Sequence, residues 1–283
     1  MRGTPCAALA RNLWHGRDAG RRASILAMQR LSLPRPLPSN ATAARATRAF
    51  VVDVVLAVII TLAVIGAGQV AWTLGEGRGT HAPPPLAWQA FLGSGALAAA
   101  ALVLALWRRR LHPDEFALSG AAARRGATWW RVVVTAAACT AIAMGAGLLL
   151  DALGIEARAS NSAPIASLHA SHPVATFLLA VVLAPLYEEL LFRRVLCGRL
   201  VDAGMARTAI LASAVLFATS HEVPGMGDAH WLGSVVIWLA YVLIGVAFGA
   251  LYVRTGTLAA PVAAHALHNA VAYAGLVAAS GGN

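Results

Sequence analysis

Glu188 and Glu189 stand side by side within the apolar stretch from Pro173 to Leu200, and Arg193 follows four residues after the second. A carboxylate at mid-bilayer depth costs about 3 kcal/mol or more, so an ionisable group there needs a partner or a task. On a helix Glu189 and Arg193 share a face with the acid N-terminal, the favoured order for an ion pair, while Glu188 points about 100° away. The pairing occupies Glu189 and leaves Glu188 to react.

Two further polar features lie in apolar runs. Phe217-Ala218-Thr219-Ser220-His221 ends one, and His265-Ala266-Leu267-His268-Asn269 lies in the last. His265 and Asn269, four apart, share a helix face, whereas His268 is turned about 100° from Asn269 and is the weaker candidate. Phe217, one turn before His221, suits a pocket wall or ordinary core packing. Counted at about 1.5 Å per residue, Glu188 is roughly 16 Å from Arg199, His221 roughly 21 Å from Arg207 and His265 roughly 16 Å from Arg254. A lone histidine on an apolar helix is usually a packing residue. Several ionisable groups at one depth point to a site instead.

A carboxylate, two imidazoles and a carboxamide in a dry pocket are enough for peptide hydrolysis without a nucleophilic side chain. Glu188 would take a proton from water as general base, with His221 holding and polarising that water. His265 and Asn269 can donate hydrogen bonds to the scissile carbonyl as it gains negative charge. Glu189 and Arg193 would be supporting. The same residues permit a metal alternative, in which Glu188, His221 and His265 supply three ligands to zinc and leave a position for water. With no HExxH helix in the chain, the reading without a cofactor comes first and a divalent metal second.

The elements that must position these residues are membrane helices. The chain has 283 residues, 59% hydrophobic and 12% charged, with a mean hydropathy of +0.68, too apolar for a soluble globule. Runs long enough to span a bilayer are expected at Phe50–Leu74, Leu86–Trp107, Trp129–Leu153, Pro173–Leu200, Trp231–Val253 and Thr257–Ala279, with Arg207–Glu222 a shorter seventh. Their length excludes membrane strands, so the fold is all-α, a polytopic bundle of about seven transmembrane helices.

The net charge of +10 comes entirely from arginine, and the arginines cluster beside the spans rather than forming a nucleic-acid surface. The expected loops 75–85, 154–172 and 223–230 hold only Arg78 and Arg158. Seven spans with a cytoplasmic N-terminus satisfy the positive-inside rule. Residues 1–49 read as a basic, disordered cytoplasmic tail, a transit peptide being the alternative, and 50–279 as the bundle. Segment 108–131 suits the cytoplasmic interface, Gly245 and Gly249 suit close helix packing, and Pro185 is a candidate kink that frees a carbonyl near Val181. Cys6, Cys139 and Cys197 are too scattered for a disulfide framework and read as apolar fillers.

Glu188-Glu189-Leu190-Leu191-Phe192-Arg193 resembles the EExxxR motif, Phe217 to His221 the FxxxH motif and His265 to Asn269 the HxxxN motif of the CPBP intramembrane proteases, also called the Abi or CAAX-protease-like family. The three motifs occur in the family's order, within about residues 110–279. The resemblance implies a catalytic set of Glu188, His221, His265 and Asn269, supported by Glu189 and Arg193. It implies an intramembrane endopeptidase cutting near the cytoplasmic side of a bacterial inner membrane, on membrane-embedded or membrane-tethered peptides, prenylated ones included, with no nucleic acid partner. Family members have been called metalloproteases, so the resemblance leaves the metal alternative open. A non-catalytic partner-binding or bacteriocin-immunity protein is the alternative function. A proton-relay transporter would need broken helices and repeated halves, and the sequence shows no repeat.

Overall fold

The computed structural model describes residues 39–75, 84–111, 122–226 and 230–280. Most of the expected tail, Cys6, Arg78 and the middle of segment 108–131 therefore lie outside the described residues. Among those described there are eight helices: α1 Asn40–Gly75, α2 Leu86–Leu111, α3 Gly126–Ala152, α4 Ser162–Ser171, α5 Pro173–Asp202, α6 Ala206–His221, α7 Trp231–Thr255 and α8 Ala259–Ser280. Six are long and apolar enough to cross a membrane: α1, α2, α3, α5, α7 and α8. The expected short crossing at Arg207–Glu222 is the 16-residue α6, and α4 is an additional short helix before α5. The protein is a polytopic helical bundle.

Helix α1 starts ten residues before the expected Phe50. Its first turn is held by Ser39, whose Oγ accepts from the Thr42 backbone N–H at 3.3 Å. The alanine-rich stretch that follows favours helix, so the apolar span is extended at its N-terminal end. Most of α1 faces outward, but Asp53 is buried and takes a two-pronged contact from Arg199, Nε to Oδ2 at 2.9 Å and Nη2 to Oδ1 at 3.1 Å. That pair ties the N-terminal half of α1 to the C-terminal end of α5.

Helix α5 carries the first motif and is irregular. Two π-helical segments, Leu178–Leu183 and Leu190–Cys197, flank the short α-helical piece Ala184–Glu189. Pro185 accounts for the first: without an N–H it cannot continue the ladder. In an i→i+5 register the carbonyl facing residue 185 is that of Ala180, one residue before the Val181 expected for a regular helix. Asn269 of α8 donates to it, Nδ2 to O at 2.9 Å. Around the second segment, Arg108 of α2 reaches in, its Nη1 donating to the carbonyls of Arg194, at 2.7 Å, and Val195. Side chains from neighbouring helices thus satisfy carbonyls that the broken register exposes.

Helices α6 and α7 pack closely, and Gly245 shows why. A Cβ there would lie 2.9 Å from the Ala214 Cα, so the backbones approach only because position 245 has none. The Gly245 and Gly249 pair serves packing within the monomer. The core beneath them gathers Phe192, Phe217, Phe248 and Leu191 around the motif-bearing faces of α5, α6 and α8.

Candidate active site

The buried face of α5 presents Glu188, Glu189 and Arg193 together, with 7%, 0% and 0% of their surface exposed. Glu189 and Arg193 form the expected pair, Oε2 to Nε at 2.9 Å. The contact is an ion pair by distance without the alignment of a hydrogen bond at either atom. Arg193 is further held by Ser213 of α6, Nη1 to Oγ at 3.4 Å, and lies over the Phe217 ring at 5.2 Å. The second oxygen of Glu189 has a partner that spacing along α5 could not reveal. His265 of α8 places Nδ1 3.0 Å from Glu189 Oε1.

Glu188 faces the two motif histidines. Its Oε2 is 3.5 Å from His221 Nε2 and 3.8 Å from His265 Nε2, with no hydrogen-bond partner. The other nitrogen of each ring is already engaged. His221 Nδ1 lies 2.9 Å from the Phe217 carbonyl, which can only accept, so that nitrogen carries the proton. His265 Nδ1 is turned to the ion-paired Glu189 carboxylate, an acceptor in the same sense. Both rings therefore aim Nε2 at one oxygen, at separations longer than a direct hydrogen bond.

Aromatic rings hold this geometry. Phe217 packs edge-on to Phe192 and His265, at 5.4 and 5.7 Å between centroids, and leans on His221 at 4.4 Å. Phe248 stacks on His265 at 4.8 Å. Phe217 is thus both core and site wall, the two roles its sequence position left open. Tyr241 of α7 also packs on His221, at 4.7 Å between centroids, and lies edge-on to Phe217 at 6.4 Å. Sequence reasoning missed Tyr241, because nothing in the apolar pattern of α7 separates it from ordinary filler.

A cavity of about 430 Å³ adjoins the group, within the size range of ligand pockets. His221, His265, Asn269 and Phe217 line it, together with small residues such as Ala146 and Ala240. Glu188 is set just behind the two histidines and does not itself line the space. His268, the weaker candidate, does line it and contacts Thr140 Oγ1 through Nδ1 at 3.3 Å. Among the described residues, no group of three or more His, Cys, Asp and Glu side chains is placed to hold a metal ion.

Residues 170–271 match the family model described as type II CAAX prenyl endopeptidase Rce1-like. Over these residues the chain is similar to the CAAX prenyl endopeptidases. The matched stretch contains Glu188, Glu189, Arg193, His221, His265 and Asn269, and ends two residues after the last of them. Neither the comparison with curated proteins nor that with solved structures gives a match. Helices α1 to α3 lie outside the matched residues.

Proposed function

We propose that the protein is an intramembrane endopeptidase that hydrolyses a peptide bond with a glutamate-activated water. The observation that carries the reading is the convergence of His221 and His265 on Glu188 Oε2, at 3.5 and 3.8 Å, beside a cavity also lined by Asn269. A water seated among the three can donate one hydrogen to Glu188 and the other to His221 Nε2. Its oxygen attacks the scissile carbonyl carbon as Glu188 accepts the first proton. The carbonyl π pair moves to oxygen, giving a tetrahedral oxyanion. Its collapse breaks the C–N bond, and Glu188 returns the proton to the departing nitrogen, leaving a new carboxyl group and an amine.

Donors for the oxyanion are at hand. Asn269 has a second N–H besides the one given to Ala180, and His265 can donate from Nε2 in its imidazolium form, with Glu189 facing the other nitrogen. Glu189 and Arg193 act by position, since their charges offset each other and leave Glu188 as the reactive carboxylate. The same arrangement supports a metal-independent mechanism, because each group has a role in moving or orienting protons. The substrate is a membrane-embedded or membrane-tethered peptide, prenylated or not; the family resemblance and the composition favour a bacterial inner membrane, and the arginine distribution supports an N-terminus inside.

The test is cleavage of a library of tethered and prenylated reporter peptides by purified protein in detergent, comparing wild type with Glu188→Gln, each with and without a strong chelator. Loss of cleavage in the variant alone is the expected result. Loss with the chelator as well would restore the metal alternative. Equal processing by wild type and variant would move the partner-binding reading ahead.

A further inference from the structure

Four of the helices that line the cavity, α3, α5, α6 and α7, carry arginines towards one end and line it mainly from the part remote from that end, while α4 and α8 line it without an arginine of their own. Helix α3 gives Ala146 and Leu150 while Arg131 lies in its first turns, and α6 gives His221 at its end while Arg207 begins it. Helix α7 gives Ala240 from its N-terminal part and carries Arg254 at its close. Helix α8 lines from His265 to Leu276, and α5 gives Ala180, well before Arg199. The arginine ends are gathered on one face: Arg131 Nη1 donates to the Arg254 carbonyl at 3.5 Å, and Arg199 binds Asp53 in the N-terminal half of α1. Among the described residues, the one arginine that lines the cavity is the exposed Arg158, in the strap between α3 and α4.

The strap is fastened over the histidine end of the site. Ser160 donates its N–H to Glu222 Oε2 at 3.0 Å and its hydroxyl to the His221 carbonyl at 2.9 Å, and Glu222 is buried. Tyr241 donates to Asn161 Oδ1 at 3.5 Å. On the far side of the strap, Gly233 admits Ala157 where any side chain would collide with it. Residues 157, 158, 159, 161 and 162 then form the outer lining of the cavity.

We infer that peptide reaches this site from the face opposite the arginine-rich helix ends, past the strap at 157–162. This deepens the proposed function and rests on it for the identity of the occupant. By the positive-inside rule that face is extracytoplasmic. The substrate class is then a peptide segment presented at the outer side of the membrane, in place of the cytoplasmic-side cleavage that the sequence suggests. The small side chains of Ala143, Ala146, Gly147 and Ala240 leave room for its apolar residues.

The test places the full chain, with a protease-removable N-terminal tag, in sealed phospholipid vesicles sorted by whether the tag is protected. The N-terminal half of α1 meets Arg199, so the tag reports the arginine face. A charged fluorogenic peptide that the protein cuts in detergent is added outside. Vesicles with the tag inside are expected to cut it about tenfold faster or more than vesicles with the tag outside, because a charged peptide does not cross the hydrocarbon core. Equal rates, or the reverse order, overturn the inference.

A readout independent of catalysis accompanies it. In a Cys6→Ala background, Ala240→Cys and separately Ala146→Cys are treated with a charged, membrane-impermeant thiosulfonate. Modification above background in tag-inside vesicles is expected, and modification confined to tag-outside vesicles overturns the inference. If no peptide is cut in detergent, the endopeptidase reading fails while the thiol pattern still decides the route of access.

Discussion

Buried charges occur at two places along α5, and they are treated differently. At its C-terminal end Arg199 holds Asp53 through two contacts, and Arg108 meets Asp202 at 3.2 Å while donating to helix carbonyls. Eleven residues before Arg199, Glu188 lies near two imidazoles yet bonds to neither. A buried ion whose bonds are satisfied fixes structure, whereas one that meets its neighbours without bonding to them is available for proton transfer. Glu189 marks the boundary, since its Oε1 is bonded to His265 and its Oε2 is ion-paired with Arg193 although it is adjacent in sequence to the reactive carboxylate. The lesson is that function follows the face and the partners, not the residue type.

The comparison is broken most severely at Glu188. Glu188→Gln keeps the shape and removes the base, so peptide cleavage is expected to fall about 10²- to 10⁴-fold, with thermal unfolding in detergent unchanged. A variant that cleaves normally would place Glu188 among the structural charges. Arg193→Met is the converse experiment. It strands Glu189 in the core, and unfolding in mixed micelles should show a loss of about 3–5 kcal/mol, largely regained in the Glu189→Gln/Arg193→Met double variant.

Asn269→Ala sharpens the comparison because it touches both classes. It unpairs the Ala180 carbonyl, for about 1–3 kcal/mol of stability, and removes a donor from the cavity. Cleavage should drop about 10²-fold if that donor meets the oxyanion, and a stability loss with normal turnover would leave it only a structural bond. The smallest effect belongs to Asp202→Asn. The Asp202 side chain is half-exposed, and unfolding measurements should register about 1 kcal/mol or less, with unchanged cleavage.

Much of this was legible in the chain itself. Unbroken apolar runs fix the crossing helices because lipid offers the backbone no other partner, and the i, i+4 spacing of Glu189 and Arg193 carries over directly to an ion pair. The bond from His265 to Glu189 was not legible, because it joins residues 76 apart and depends on how α8 packs against α5. The start of α1 at Asn40 was obscured by arginine and proline nearby, which suggest a tail until the Ser39 cap is seen. Pro185 announced a disturbance but placed the orphaned carbonyl one residue late, since sequence does not show that the helix widens to i→i+5. The strap at 157–162 left almost no trace, its fastenings being single polar residues scattered among Ser160, Asn161, Glu222 and Tyr241.

The two widened turns of α5 also act as a counting device. Helical residues are set about 100° apart, so the rotational position of Glu188 depends on how many residues precede it, not only on where the helix lies. Removing one residue between 178 and 183 would restore a more regular coil and still leave a chain long enough to cross the bilayer. It would also swing Glu188 and Glu189 around the axis, away from His221 and His265. Insertions and deletions in this stretch should therefore be far less tolerated than side-chain exchanges on its lipid-facing side, and a scan of single-residue deletions along α5 would find the segment before Pro185 among the most sensitive.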